Sequence, residues 1–185
     1  MIMSEIFLST QVSLDGYAAG PDGDLDWTDV ADDDVDELMA EQLREIDAMI
    51  FGHTAYRLLA PYWQNGPTER AVDREHTRLM NSVTKLVLSR GEPELTWGPA
   101  KRIGADLPRE MADLKAGGGD IAVFAGAGAA NALLPYLDEV RLVVYPVLLG
   151  DGLALFTGQR RPLRLVSTRA FPASGAVQLR YRPVG

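Results

Sequence analysis

The segment DIAVFAG, residues 120–126, constrains the fold of this chain more than any other. It is apolar almost without interruption, so a strand there must be covered on both faces. Strands of that kind belong to parallel sheets, whose crossover connections lay helices over the sheet. The residues that follow, GAGAANALLPYL, read as a helix with a glycine-rich start.

The same strand–turn–helix order recurs along the chain. EIFLSTQV, residues 5–12, reads as a first strand, and SLDGYAAGPDGDLDW, residues 13–27, as a long turn-rich loop. Val35, Leu38, Met39, Leu43 and Ile46 form one apolar stripe at helical spacing, with acids crowding the first turn where the helix dipole favours them. DAMIF, residues 47–51, is a short strand stopping at Gly52. HTAYRLLAPYW predicts a short helix ending before Pro61, and TERAVDREHTRLMNS a second. KLVLS, residues 85–89, is a strand, and LPREMADLKA a helix with Pro108 in its first turn. EVRLVVYPVLLGDG reads as one long strand, and LRLVSTRAF and AVQLRYRP as a hairpin around residues 172–175. The pattern predicts an α/β fold in three layers: a mostly parallel central sheet, helices on both faces and an antiparallel C-terminal edge hairpin. No linker interrupts it, so residues 1–185 are expected to form one domain.

Composition narrows the chemistry. There is no cysteine, which excludes disulfides, thiolate catalysis and cysteine-bound zinc. With only His53 and His76, no histidine-rich metal site is expected either. The start, MIMSE, lacks the basic stretch and apolar run of a secretory leader, and no apolar run is long enough to span a bilayer, so the cytoplasm is the expected location. The net charge of -8 is uneven: residues 22–47 alone carry -11, and the rest of the chain +3. That balance disfavours nucleic acid as a partner but leaves the body able to hold a phosphate-bearing ligand. Most of the acidic run reads as a solvated loop and helix face.

Three segments offer anion sites, each at the C-terminal end of a strand. Gly126, Ala127, Gly128 and Ala129 open a helix with small residues, letting a phosphate approach free backbone N–H groups. Asn131 stands where a dinucleotide fingerprint has its final small residue, and close helix–strand packing explains the small residues equally well. Gly52, His53 and Thr54 open another helix; a capping glycine followed by surface polar residues is the plain alternative. Ser89 and Arg90 follow the KLVLS strand, where a guanidinium can pair with phosphate or simply lie in solvent. In open parallel sheets ligands bind beyond the carboxyl ends of the strands, so three such segments together point to a dinucleotide.

SLDGYAAGPDGDLDW, FGHTAY, KLVLSR and VFAGAGAANALLPYLDEVRLVVYPVLLGDGLALF, in that order, closely resemble the dihydrofolate-reductase-like superfamily. The nearest branch is the C-terminal reductase domain of the bifunctional riboflavin-biosynthesis deaminase/reductase and its stand-alone relatives. The resemblance implies NADPH as cofactor. It gives Ser89 and Arg90 the adenosine ribose and its 2′-phosphate, and Gly126 to Ala129 the pyrophosphate. Gly52, His53 and Thr54 match a further phosphate-binding element, with His53 in place of the usual Arg and Ala55 in place of the usual Thr. The loop from Ser13 to Trp27 matches a mobile flap over nicotinamide and substrate. Asp32, five residues after Trp27, matches the carboxylate that orients a pterin-like ring and assists its protonation; a helix cap is the alternative. Asp15 is a second catalytic candidate, or a turn residue bonding its own backbone. Tyr17, Trp27, Tyr56 and Trp63 can line a pocket for a flat ring or be ordinary core.

The deaminase half of such enzymes needs a cysteine-bound zinc, which this chain cannot build. The expected function, as the resemblance implies, is NADPH-dependent hydride transfer to a small heterocyclic, pteridine- or pyrimidine-like, or carbonyl substrate, similar to that of 5-amino-6-(5-phosphoribosylamino)uracil reductase. Dihydrofolate reduction and a non-catalytic nucleotide-binding role on the same fold are the rivals. The resemblance also implies a homodimer, paired through the C-terminal sheet region.

Overall fold

The computed structural model describes residues 4–124, 126–158 and 160–184. In chain order its elements are β1 Ile6–Ser13, β2 Tyr17–Ala19, α1 Asp33–Glu45, β3 Ile46–Gly52, α2 His53–Gln64, α3 Ala71–Ser82, β4 Thr84–Leu88, β5 Ala100–Ile103, α4 Leu107–Ala116, β6 Asp120–Phe124, α5 Ala127–Leu133, β7 Glu139–Tyr145, β8 Leu153–Ala154, β9 Leu163–Phe171 and β10 Ala176–Pro183. Eight strands form one sheet in the order β5-β4-β3-β6-β1-β7-β10-β9; β2 and β8 form a separate pair. The sheet is mostly parallel with an antiparallel C-terminal edge, as the sequence predicts.

The residues gather into two compact units: Asp33–Ala122 with the start of the chain through Glu5, and Ile6–Asp32 with the chain from Val123 on. In the first unit β3, β4 and β5 run parallel, Gly52 lying opposite Leu88 and Leu88 opposite Ile103. The core includes Met49, Ile50, Phe51, Leu86 and Val87, all fully buried. α1 turns Val35, Leu38 and Leu43 inward, as their spacing predicts. Its acids are partly balanced by two arginines. Arg70 bridges Asp33, Asp36 and Asp73, and Arg44 bridges Glu37 and Glu75.

Lys85 is an exception to the apolar core. It is fully buried in β4, its Nζ donating to the carbonyls of Asn81 at 3.0 Å and Gly98 at 3.3 Å, and it stands 4.7 Å from the centre of the Trp97 ring. Burial lowers its pKa to about 8.

In the second unit β1 and β7 run parallel, with Phe7 opposite Glu139 and Ser13 opposite Tyr145. β10 pairs antiparallel with β7 and β9, as the hairpin pattern predicts. At the start of β7, Glu139 is fully buried and accepts from the Nε atoms of Arg141 at 2.7 Å, Arg180 at 2.6 Å and Arg182 at 3.2 Å. Burial alone pushes its pKa up, but the hydrogen bonds from Arg180 and Arg141 outweigh that and hold it at about 2.

Besides the short β2–β8 pair, where the sequence predicts loop, three elements differ from the sequence reading. α2 does not stop before Pro61 but runs to Gln64 with the proline inside. The lost backbone bond is offset by tertiary contacts: Trp63 packs edge-on against His76, and its carbonyl accepts from Asn81 Nδ2 at 2.8 Å. The long strand expected over EVRLVVYPVLLGDG ends at Tyr145, because Pro146 has no N–H to continue the ladder; Val147 N turns back to the Tyr145 carbonyl. β5, with its polar AKRI sequence, carries no alternation that marks it, and pairing with β4 alone makes it a strand.

Candidate functional site

The first unit brings together two of the predicted segments. Because Gly52 and Leu88 are register partners, Gly52-His53-Thr54 and Ser89-Arg90 leave adjacent parallel strands at the same end. Gly52 is the extended residue that opens α2, and no side chain caps that helix start. No acid lies in its first turn, and His53 and Thr54 are exposed. The uncapped N–H groups at this end are therefore open to an anion, with no acid in the first turn of the helix to repel it. Ser89 is half-buried and Arg90 exposed. Their backbone is shaped by a residue the sequence reading missed: Arg102 of β5 donates from Nε to the Ser89 carbonyl and from a terminal nitrogen to the Arg90 carbonyl, each at 3.2 Å. With β5 unmarked in the sequence, nothing pointed to it.

Tyr56 and Trp63, both on α2, take different surroundings. Tyr56 is buried beside Trp97; it donates from its hydroxyl to the Trp97 carbonyl at 2.9 Å and accepts from the Trp97 amide at 2.7 Å. Burial raises its pKa, against a smaller opposing effect of the Trp97 backbone. Trp63 is half-buried between Tyr62 and His76.

In the second unit β6 leads to Gly126, which holds φ 95°, a backbone angle that favours glycine. Ala125, which precedes it in the motif, lies outside the described residues. Ala127, Ala129 and Ala130 are buried, whereas Gly128 is exposed and a Cβ there would meet nothing within 4 Å. Packing thus explains the alanines and leaves the glycine to another cause. Asn131 is not a flaw in a fingerprint but an anchor. Its Nδ2 donates to the carbonyls of Ala127 at 2.6 Å and Leu155 at 2.8 Å, and its Oδ1 accepts from Thr157 N at 2.9 Å. An amide among alanines in a short helix was the available signal.

The SLDGY loop and the PVLLGDG segment, separate motifs in sequence, are stitched to each other. Leu14 N donates to the Val147 carbonyl and Leu155 N to the Gly16 carbonyl. Asp15 accepts from Ser13 Oγ at 2.6 Å, from Leu149 N at 3.2 Å and from Gly150 N at 2.8 Å. The Ser13 hydroxyl, then the Gly150 amide, lower its pKa. β2 pairs with β8, and a Cβ on Gly152 would stand 2.2 Å from the Ala19 carbonyl oxygen, so only glycine fits there. Tyr17 and Trp27 are half-buried; Trp27 donates to the Asp24 carbonyl and sets its ring edge-on to Tyr145. Asp32 is a buried carboxylate just before α1, and it accepts from Ser174 N in the β9–β10 turn at 2.9 Å. The sequence reading missed Ser174. No group of histidines and carboxylates suited to a metal occurs among the described residues.

This architecture defines the class: an α/β protein with a dihydrofolate-reductase-like fold. Within it, the chain belongs to the family of the RibD C-terminal domain, whose model matches residues 4–176. It is 33% identical over 181 residues to the uncharacterized protein YyaP of Bacillus subtilis strain 168, covering 95% of this chain and 93% of that one. A crystal structure described as a riboflavin biosynthesis protein from Shewanella sp. PV-4 superposes with a TM-score of 0.78 at 21% identity, over 98% of this chain and 99% of that one. Dihydrofolate reductase from Enterococcus faecalis, complexed with NADP(H) and RAB-propyl, gives 0.67 at 12% identity, over 100% and 99%. These two structural likenesses show the fold alone. Family membership supports a reductase-type function. No helix among the described residues is long and apolar enough to cross a membrane.

Proposed function

We propose that this chain is an NADPH-dependent reductase that transfers a hydride to a small heterocyclic, pteridine- or pyrimidine-like, or carbonyl acceptor. The observation that carries the reading is Gly128: an exposed glycine after a positive-φ Gly126, with open space where a Cβ would stand. A coenzyme phosphate is the guest such a turn suits. In support, a structural neighbour with this fold was solved with NADP(H).

The backbone of Gly126, Ala127, Gly128 and Ala129 holds the pyrophosphate. Gly52, His53 and Thr54 present the N-terminal amides of α2 to a further coenzyme oxygen. Ser89 and Arg90 take the ribose and its 2′-phosphate, Arg90 through charge-assisted hydrogen bonds. A bound reduced nicotinamide supplies the hydride. Reduction adds that hydride to an electrophilic carbon and a proton to its heteroatom. Asp32 orients the acceptor and assists protonation, with Ser174 N fixing its carboxylate. Asp15 positions the Ser13–Trp27 flap, and Tyr17 and Trp27 give it aromatic surface. Residues 1–185 act as a single domain in the cytoplasm. Two copies pair through the exposed edge strand β9, where Leu163, Leu165 and Val166 meet water.

Calorimetry with NADPH and NADH tests the coenzyme, and loss of reduced-nicotinamide absorbance with a panel of pteridine, pyrimidine and quinone acceptors tests turnover. NADPH should bind the more tightly, and Arg90→Ala should remove that preference. No heat with either coenzyme at millimolar concentration overturns the proposal. Binding without turnover on any acceptor favours the non-catalytic nucleotide binder.

A further inference from the structure

We propose that the acceptor is a flat, apolar molecule without a phosphate group, received by Leu14 and Leu148; this rests on the reductase reading and narrows its substrate. β1 and β7 are parallel neighbours that end together at Ser13 and Tyr145. Ligands of parallel sheets lie beyond such carboxyl ends. The residues that emerge there are Leu14, 64% exposed, and Leu148, 70% exposed. Leu14 N is bonded to the carbonyl of Val147, the residue before Leu148, so the two leucines leave the sheet side by side.

Their exposure is built rather than accidental. Asp15 holds the amides of Leu149 and Gly150, and Gly152 seats against the Ala19 carbonyl. Neither segment can fold its leucine inward without breaking these contacts. Leu153 and Phe156 of the same stitched segments are exposed as well. Apolar surface grouped in this way, at a ligand-binding edge, marks a recognition site.

The charge of the same surface sets the class of ligand. Residues 13–28 and 146–157 contain no Lys, Arg or His; their charged residues are Asp15, Asp22, Asp24, Asp26 and Asp151. Within these two segments a phosphate finds no cation to pair with and five carboxylates to repel it. A planar conjugated carbonyl compound or neutral ring carries no charge to desolvate and gains the leucine contacts.

The test compares turnover of NADPH with a neutral naphthoquinone, a neutral pterin and the phosphate-bearing 5-amino-6-(5-phosphoribosylamino)uracil as probes. The naphthoquinone should exceed the phosphorylated acceptor in kcat/KM by about tenfold or more. Leu14→Glu and Leu148→Glu should each raise KM for the neutral acceptor by about tenfold with circular dichroism unchanged, and Leu148→Glu, outside the flap, should leave coenzyme affinity unchanged as well. Leu148→Lys should narrow the gap between neutral and phosphorylated acceptors. A preference for the phosphorylated probe, or a KM indifferent to both glutamates, overturns the inference while leaving the reductase reading intact. A loss of self-association with unchanged KM also overturns it, by assigning the leucines to a second copy. Failure of coenzyme binding in the unmodified protein is the distinct result that removes the reading beneath it.

Discussion

The Asp15 carboxylate accepts the amide of Gly150 at 2.8 Å, joining positions 135 residues apart in the chain. Through this bond a turn after the first strand governs a loop that follows the seventh. Asp15→Ala should leave the sheet intact and free that loop. Hydrogen exchange should accelerate at Leu149 and Gly150, with little change in β1 or β7. Because its pKa is lowered, the carboxylate stays ionised through mildly acid pH. The lock is complete above the ordinary aspartate range and is lost as pH falls below it, which exchange rates at the same two amides will follow.

Gly152→Ala should destabilise the protein by about 1–3 kcal/mol. The added methyl meets the Ala19 carbonyl oxygen, and the φ of 137° is one that L side chains rarely adopt. Urea denaturation measures the loss. Gly128→Ala meets open space and should cost far less in the same experiment, while weakening the coenzyme.

Lys85 makes stability rise with pH in an alkaline window. Its folded pKa of about 8 lies below the ordinary 10.5, so the cost of its buried charge is complete below pH 8 and disappears as pH rises toward 10.5. The gain across that window is on the order of 3 kcal/mol. Lys85→Met should remove the slope and match or exceed the parent's stability at pH 7. Denaturation midpoints at pH 7, 8, 9 and 10 for both proteins test this; parallel curves would refute it.

Glu139 acts in the opposite direction. Its folded pKa of about 2 lies below the ordinary 4.5, so its contribution is complete above pH 4.5 and lost as pH falls toward 2. Glu139→Gln leaves Arg141, Arg180 and Arg182 crowded around a neutral group. It should cost about 3–5 kcal/mol and flatten the acid limb of the stability profile. Thermal unfolding between pH 3 and 7 reads both effects.

Local pattern made much of this protein legible. β6 showed itself because a strand covered on both faces must be apolar throughout, and α1 because its apolar residues, Val35, Leu38, Met39 and Leu43, gather on one helical face. The glycine at 126 could be picked out because it stands between an apolar strand and a helix that opens on small residues. The acceptor-side leucines could not: Leu14 and Leu148 look like any others in a list of residues, and only the stitching of their segments holds them in water.

What the sequence determined by itself was the identity of the elements and the family, because hydrophobic period and turn chemistry act over a few neighbouring residues. The tertiary structure alone decided what the polar residues do. Asp15 became a lock, Asn131 an anchor, and Pro61 a tolerated helix residue, because each role depends on a partner far away in the chain. A hydrogen bond is won or lost over a few tenths of an ångström, and no spacing along the chain encodes that distance.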